Sequence, residues 1–216
     1  MALTNQQIER YSRQIIVSGV GGIGQERLLG SRLMLGGSLA DVAPVLAYMV
    51  GAGVGAIALQ AAGPNPAELG ALVDRMRLLN SDVAIDCSKA PNDISLILAL
   101  IGDSEQLELA RTVCDSNAPI VFVRLDMPAR IALFPSRPPC PVCADADLVT
   151  RLAKRGENAG FAAMAAATLA LKTLASGEVI ALAPTLIEFD GYRATSGRVE
   201  RGSTAQQCSC RIRRVS

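Results

Sequence analysis

The sequence predicts an α/β protein built on a mostly parallel sheet with helices on both faces. Three observations carry this. Short apolar runs at 32–35, 56–59, 83–85, 96–101 and 120–123 alternate with longer segments patterned at helical spacing. These runs are continuously apolar rather than alternating, as strands covered on both faces are. Half of the 216 residues are apolar, enough for one substantial core, and no internal repeat or linker divides the chain.

In chain order, residues 1–30 read as polar and helical, with Thr4 or Asn5 as cap and Ile8, Tyr11 and Ile15 at helix spacing. A glycine-rich connector, Gly19 to Gly24, follows. Arg32 to Leu35 is the first strand, Val42 to Val50 a helix and Ala56 to Leu59 the second strand. Pro66 to Leu79 carries Leu69, Leu72, Val73, Met76 and Leu79, the stripe of a surface helix, which leaves Arg75 and Arg77 on its solvated side. Val83 to Ile85 is the third strand, and Leu96 to Ile101 and Ile120 to Val123 flank a helix around Leu107 to Cys114. After the break at Pro135, Pro138 and Pro139, Phe161 to Leu174 is an alanine-rich helix and Leu186 to Phe189 a late strand.

Composition removes several function classes. Lys and Arg total 21 against 20 Asp and Glu, so no global field attracts nucleic acid or an anionic membrane, and Arg211, Arg213 and Arg214 read as a solvated end. There is no histidine, hence neither the commonest general base nor the commonest nitrogen ligand. Residues 42–67 carry no charge, but glycines at 51, 53, 55 and 63 and prolines at 64 and 66 punctuate them, which argues against a membrane span. The polar N-terminus lacks a signal-peptide pattern, so a cytoplasmic location is expected.

Two cysteine pairs, Cys140 with Cys143 and Cys208 with Cys210, have the arrangement of a tetrathiolate zinc site joining distant segments. A closed site of this kind is structural. A redox dithiol and two incidental pairs are the alternatives. Cys87 and Cys114 read as buried apolar side chains rather than nucleophiles.

The segments Arg10-Tyr11-Ser12-Arg13-Gln14-Ile15 and Gly24-Gln25-Glu26-Arg27-Leu28-Leu29-Gly30 resemble the opening of ThiF/MoeB/HesA proteins, relatives of ubiquitin-activating enzymes. The resemblance continues through Ala52-Gly53-Val54-Gly55, Asn117-Ala118-Pro119, the Cys140 pair, Ala159-Gly160 and Phe189-Asp190-Gly191. It implies a Rossmann-like core at 31–135, an N-terminal dimerisation segment at 1–30 and a zinc-stapled part at 136–216, together one domain. It also implies ATP, magnesium and a ubiquitin-fold sulfur carrier whose C-terminal glycine is adenylated. Asp103 matches a magnesium-associated aspartate, and equally a helix cap. Arg13 matches an arginine reaching the partner subunit's nucleotide, and equally a packing residue.

The nucleotide stretches depart from that pattern. In the phosphate-binding turn only Gly37 remains; Leu39, Ala40 and Val42 stand at the other glycine places, and Asp41 adds a negative charge. The second strand ends in Gln60-Ala61-Ala62, without the acid that holds ribose, and the long cationic crossover is reduced to Gly63-Pro64-Asn65-Pro66. The resulting expectation is a ThiF/MoeB-like pseudoenzyme that does not bind ATP and magnesium in the ordinary way, and instead binds a ubiquitin-fold sulfur carrier or pairs with an active relative. The alternatives are an active adenylyltransferase and a purely structural homodimer.

Overall fold

The computed structural model describes residues 2–63, 65–87, 93–102, 118–135, 141, 155–178, 185–190 and 193–199. Helices α1 (Asn5–Arg10), α2 (Ser12–Ile15) and α3 (Gly21–Gly30) lead into β1 (Arg32–Ser38), α4 (Leu39–Ala52), β2 (Ala56–Ala62), α5 (Pro66–Leu79) and β3 (Ala84–Asp86). β4 (Leu96–Ile101), β5 (Ile120–Arg124), β6 (Ala129–Phe134), α6 (Ala159–Ser176), β7 (Thr185–Asp190) and β8 (Arg193–Arg198) follow. The strands form one eight-stranded sheet in the order β3-β2-β1-β4-β5-β6-β7-β8. The first five are parallel; β6, β7 and β8 are added antiparallel.

Local chemistry accounts for the helix boundaries. Thr4 caps α1 in a reciprocal capping box with Gln7. Ser38 and Asn65 cap α4 and α5, and Pro66 sits at the first position of α5, where a missing N–H costs nothing. The expected glycine connector is shorter than the sequence implied, because α3 begins at Gly21.

Both faces of the central strands are buried. On one face Leu33, Leu35, Leu98, Val121 and Ile131 pack beneath α4, α5 and α6 in one apolar cluster. On the other, Met34, Ile97, Phe122 and Phe134 form a second cluster. Residues 103–117, which hold the expected helix around Leu107 to Cys114, lie outside the described set. Among the described helices only α6 is long and apolar enough to cross a membrane, and half of it is buried inside the fold.

Candidate functional site

The parallel strand order reverses between β1 and β4, and the carboxyl ends of β1, β4 and β5 therefore border the crevice where open α/β sheets hold ligands. The turn from β1 into α4 is fixed by Ser38. Its Oγ accepts from the Asp41 amide at 3.2 Å and donates to Asp41 Oδ2 at 2.6 Å. The Asp41 side chain is buried, and Arg155 Nη1 reaches its Oδ1 at 2.5 Å. A carboxylate thus stands in the first turn of α4, where free amides and the helix dipole favour an anion.

Arg155 arrives on the segment before α6. It forms an antiparallel bridge with Asp126, and the Gly156 amide donates to Leu125 O at 2.9 Å. Glycine is needed here: a Cβ at 156 would lie 2.8 Å from Met127 Cγ and 3.0 Å from Asp126 O. Below this strap β5 ends in a buried ion pair, with Arg124 Nε donating to Asp126 Oδ1 at 2.9 Å and Nη2 donating to Oδ2. The two arginines and two carboxylates of this cluster cancel, so it offers no net positive field to a polyphosphate.

The side chains of the turn differ in their surroundings. Val42 is fully buried and its Cγ1 packs close to Gly37, Leu39 is partly buried against the core, and Ala40 is exposed. The Asp41 carboxylate is buried and compensated within the chain by Ser38 and Arg155. Gly37, the retained glycine, answers a packing demand: at φ 153° its Cβ would meet Leu100 O at 2.8 Å and Val42 Cγ1 at 3.2 Å. The end of β2 carries Gln60, Ala61 and Ala62, with Ala61 in register with Gly37.

Of the remaining expected residues, Arg13 is described and lies away from this crevice. Arg13 is exposed on α2, and its neighbour Gln14 donates to Gly51 O at 3.4 Å. Gly51 lies ten residues beyond Asp41 on α4, about 15 Å along the axis. Arg13 is therefore remote from its own chain's crevice. Asp103 lies outside the described residues, directly after Gly102, as do Cys114, Cys140, Cys143, Cys208 and Cys210. Among the described residues no group of three or more metal-ligating side chains occurs. Cys87 is exposed rather than buried, because β3 is three residues long and ends just before it. Partial burial raises its thiol pKa, Asp86 adds to that and Arg77 opposes it, so little thiolate forms at neutral pH.

Arg124, Asp126, Arg155 and Gly156 were not singled out by sequence reasoning. Arg124 and Asp126 did leave a signal, two charges spaced by one residue at the end of an apolar strand. Arg155 and Gly156 left none. Away from the crevice, Gln14, Val17, Tyr48, Gly51, Leu171 and Lys172 help line a mostly apolar groove of about 660 Å³ between the α2–α3 connection, α4 and α6.

No protein-family model matches the sequence. Over 58 residues the chain is 40% identical to the probable adenylyltransferase/sulfurtransferase MoeZ of Mycobacterium tuberculosis, a stretch covering 27% of this chain and 15% of MoeZ. Over 57 residues it is 42% identical to the sulfur carrier protein adenylyltransferase of Thermus thermophilus, covering 26% of this chain and 21% of that protein. The matched stretches thus span no more than 21% of either relative. The fold is similar to that of Escherichia coli MccB crystallised with ATP, at a TM-score of 0.63 and 14% identity over 93% of this chain and 73% of MccB. The chain is thus similar in sequence, over 27% and 26% of its length, to two proteins named as adenylyltransferases, and it shares the fold of MccB over 93% of the chain.

Proposed function

We propose that this chain is a ThiF/MoeB-type pseudoenzyme that binds a ubiquitin-fold sulfur carrier or pairs with an active relative. The observation carrying this reading is the buried Asp41 carboxylate in the first turn of α4, held by Ser38 and Arg155. In the family this turn receives the nucleotide phosphates; here a like charge would meet them. The non-acidic end of β2 and the neutral Arg124–Asp126–Asp41–Arg155 cluster support the same conclusion, since phosphoryl transfer depends chiefly on positioned positive charge. ATP binding is expected to be weaker than about 1 mM, a standard free energy of about 4 kcal/mol, by calorimetry with magnesium, and pyrophosphate exchange with candidate carriers is expected to be absent. Micromolar ATP affinity or carrier-dependent exchange by the unmodified protein would overturn the reading.

The second reading is an active ATP-dependent adenylyltransferase for a ubiquitin-like sulfur carrier. The observation favouring it is the local identity to two proteins named as adenylyltransferases. Asp103 and Arg13, the latter in trans, are then the residues on which ATP and magnesium depend, and the exchange assay separates the readings.

Two further features belong to this proposal. Cys140, Cys143, Cys208 and Cys210 form a structural zinc site, the donor set suiting tetrahedral, soft-ligand coordination. A second copy or a relative covers the groove between α2, α4 and α6. Ile16, an exposed apolar residue just after α2 and next to the lining residue Val17, supplies the knob that a two-fold interface pairs with the groove. A cytoplasmic location is consistent with α6 being half buried within the fold.

A further inference from the structure

We infer that residues 4–18 are a hinged arm, and that seating its one buried side chain, Tyr11, builds a wall of the apolar groove. The fold then switches between an arm-docked state that has the groove and an arm-released state that lacks it. The effect on assembly rests on the reading, given above, that a second copy covers the groove; the hinge itself does not.

The hold on the arm is concentrated in one place. Neither α1 nor α2 buries a residue of its own, and among residues 2–18 only Tyr11, between them, is buried, at 1% exposure. Among the described residues the arm's backbone hydrogen bonds are all local, such as Ile8 N to Thr4 O and Ile15 N to Tyr11 O, each at 2.9 Å, so no sheet pairing anchors it. Its other side-chain ties to the body are long and lie near the surface: Gln14 Nε2 to Gly51 O at 3.4 Å, Arg10 Nη1 to Leu79 O at 3.5 Å and Arg10 Nε to Asp82 Oδ2 at 3.8 Å. A segment with so little buried contact opens at a lower free energy than the whole fold.

The socket does not need the arm. Asn80 Nδ2 donates to Val50 O at 2.8 Å and its Oδ1 accepts from the Asp82 amide at 3.1 Å, so Asn80 and Asp82 stay in place when the Tyr11 hydroxyl leaves them. Gly53, just after α4, leaves the space that the ring fills. At the far end of the arm, Gly19 and Gly21 turn the chain at φ of 91° and 60°, and a Cβ on either would meet nothing within 4 Å. These two glycines are the hinge, since they turn the chain freely and no packing fixes the turn.

The same segment completes the groove. Gln14 and Val17 of the arm line it together with Tyr48 on α4, Leu171 on α6 and the buried Leu28 and Ala52. Releasing the arm removes that wall. Whatever fills the groove therefore binds the docked state alone and holds the arm down.

Amide hydrogen exchange on the full-length protein tests the hinge. In the unmodified chain the amides of Ile8, Tyr11 and Ile15 are expected to exchange at least about 100-fold faster than those of β4. In Tyr11→Ala they are expected to fall to within about tenfold of an unstructured chain, while β4 keeps at least about 1,000-fold protection. Gly53→Ala, whose Cβ would lie 2.7 Å from the Tyr11 ring, blocks the socket from the other side and is expected to give the same pattern. Light scattering is expected to find both variants monomeric at a concentration where the unmodified chain is a dimer.

Equal exchange of the arm and β4 in the unmodified chain overturns the hinge. So does an arm that stays protected in both variants, or one that loses protection only together with β4. Variants that release the arm yet remain dimeric overturn its coupling to the groove. A monomeric unmodified chain instead removes the second-copy reading, and the exchange pattern alone then decides the hinge.

Discussion

Tyr11 ties the N-terminal helices to the body of the protein. Its ring is buried against Gly53, where a Cβ would lie 2.7 Å from the ring and where φ is 81°, so that only glycine leaves room and adopts the turn readily. Its hydroxyl donates to Asp82 Oδ2 at 3.1 Å and accepts from Asn80 Nδ2 at 2.9 Å, and Asn80 also donates to Val50 O at 2.8 Å. Tyr11→Phe breaks this network and is expected to cost about 1–2 kcal/mol in denaturant unfolding. Burial raises the phenol pKa above its ordinary value of 10.0; Asp82 adds to the shift, while Asn80 and Arg10 oppose it. The folded state therefore prefers the neutral phenol. Its contribution is intact below pH 10 and is lost as pH rises through the higher folded value, so stability is expected to fall above about pH 10, less steeply in Tyr11→Phe. Unfolding midpoints measured between pH 8 and 11 check the sign.

Each element here answers to its packing as much as to its own pattern. In the first turn of α4 the side chains split by direction: Val42 points into the core and Ala40 into solvent. Val42→Gly is expected to lower stability by about 3 kcal/mol or more, adding a cavity to the helix cost of glycine, whereas Ala40→Gly is expected to cost about 0.5–1 kcal/mol. Thermal melts of the two single variants would separate them. Glycine at 39, 40 and 42 together is therefore expected to destabilise the fold mainly through Val42. β6 and β8 escaped sequence reasoning for different reasons. β6 follows β5 after four residues and is buried between β5 and β7, where Arg130 pairs with Glu188 at 2.8 Å. β8, Arg-Ala-Thr-Ser-Gly-Arg, is exposed throughout and shows no apolar pattern; its pairing with β7 defines it. α6 is alanine-rich because it packs closely, with Ala162, Ala163, Ala166, Ala167 and Ala170 all buried.

At the scale of the whole molecule the proposal is an assembly stapled by metal. Gly51 lines the apolar groove, and a Cβ there meets nothing within 4 Å, so Gly51→Arg places a charge in the groove without disturbing its own chain. Light scattering is expected to show a dimer for the unmodified protein at micromolar concentration and a monomer for Gly51→Arg, with the melting temperature of the isolated fold retained. Metal analysis of freshly reduced protein is expected to give about one zinc per chain, with Cys140→Ser or Cys208→Ser losing both zinc and thermal stability. Absence of zinc, or an unmodified protein that stays monomeric alone and with candidate partners, would remove the corresponding part of the proposal.

The alternation of apolar runs and amphipathic segments determined the elements up to β5, together with α6 and β7, because burial on both faces writes itself into continuous hydrophobic stretches. The bounds of α5 follow from Asn65, Pro66 and a stripe that depends only on neighbours three or four residues away. Contacts made far along the chain left no such mark. The pairing of Asp41 with Arg155 joins residues on α4 and before α6, and the demand for glycine at 37 comes from the carbonyl of Leu100 on the neighbouring strand. Likewise, the inward direction of Val42 depends on how α4 rotates against the sheet. The sequence alone thus determined which residues stand in the turn between β1 and α4, whereas the tertiary structure decided their partners: folding brings the Asp41 charge to Arg155, and Val42 to the core beside Gly37.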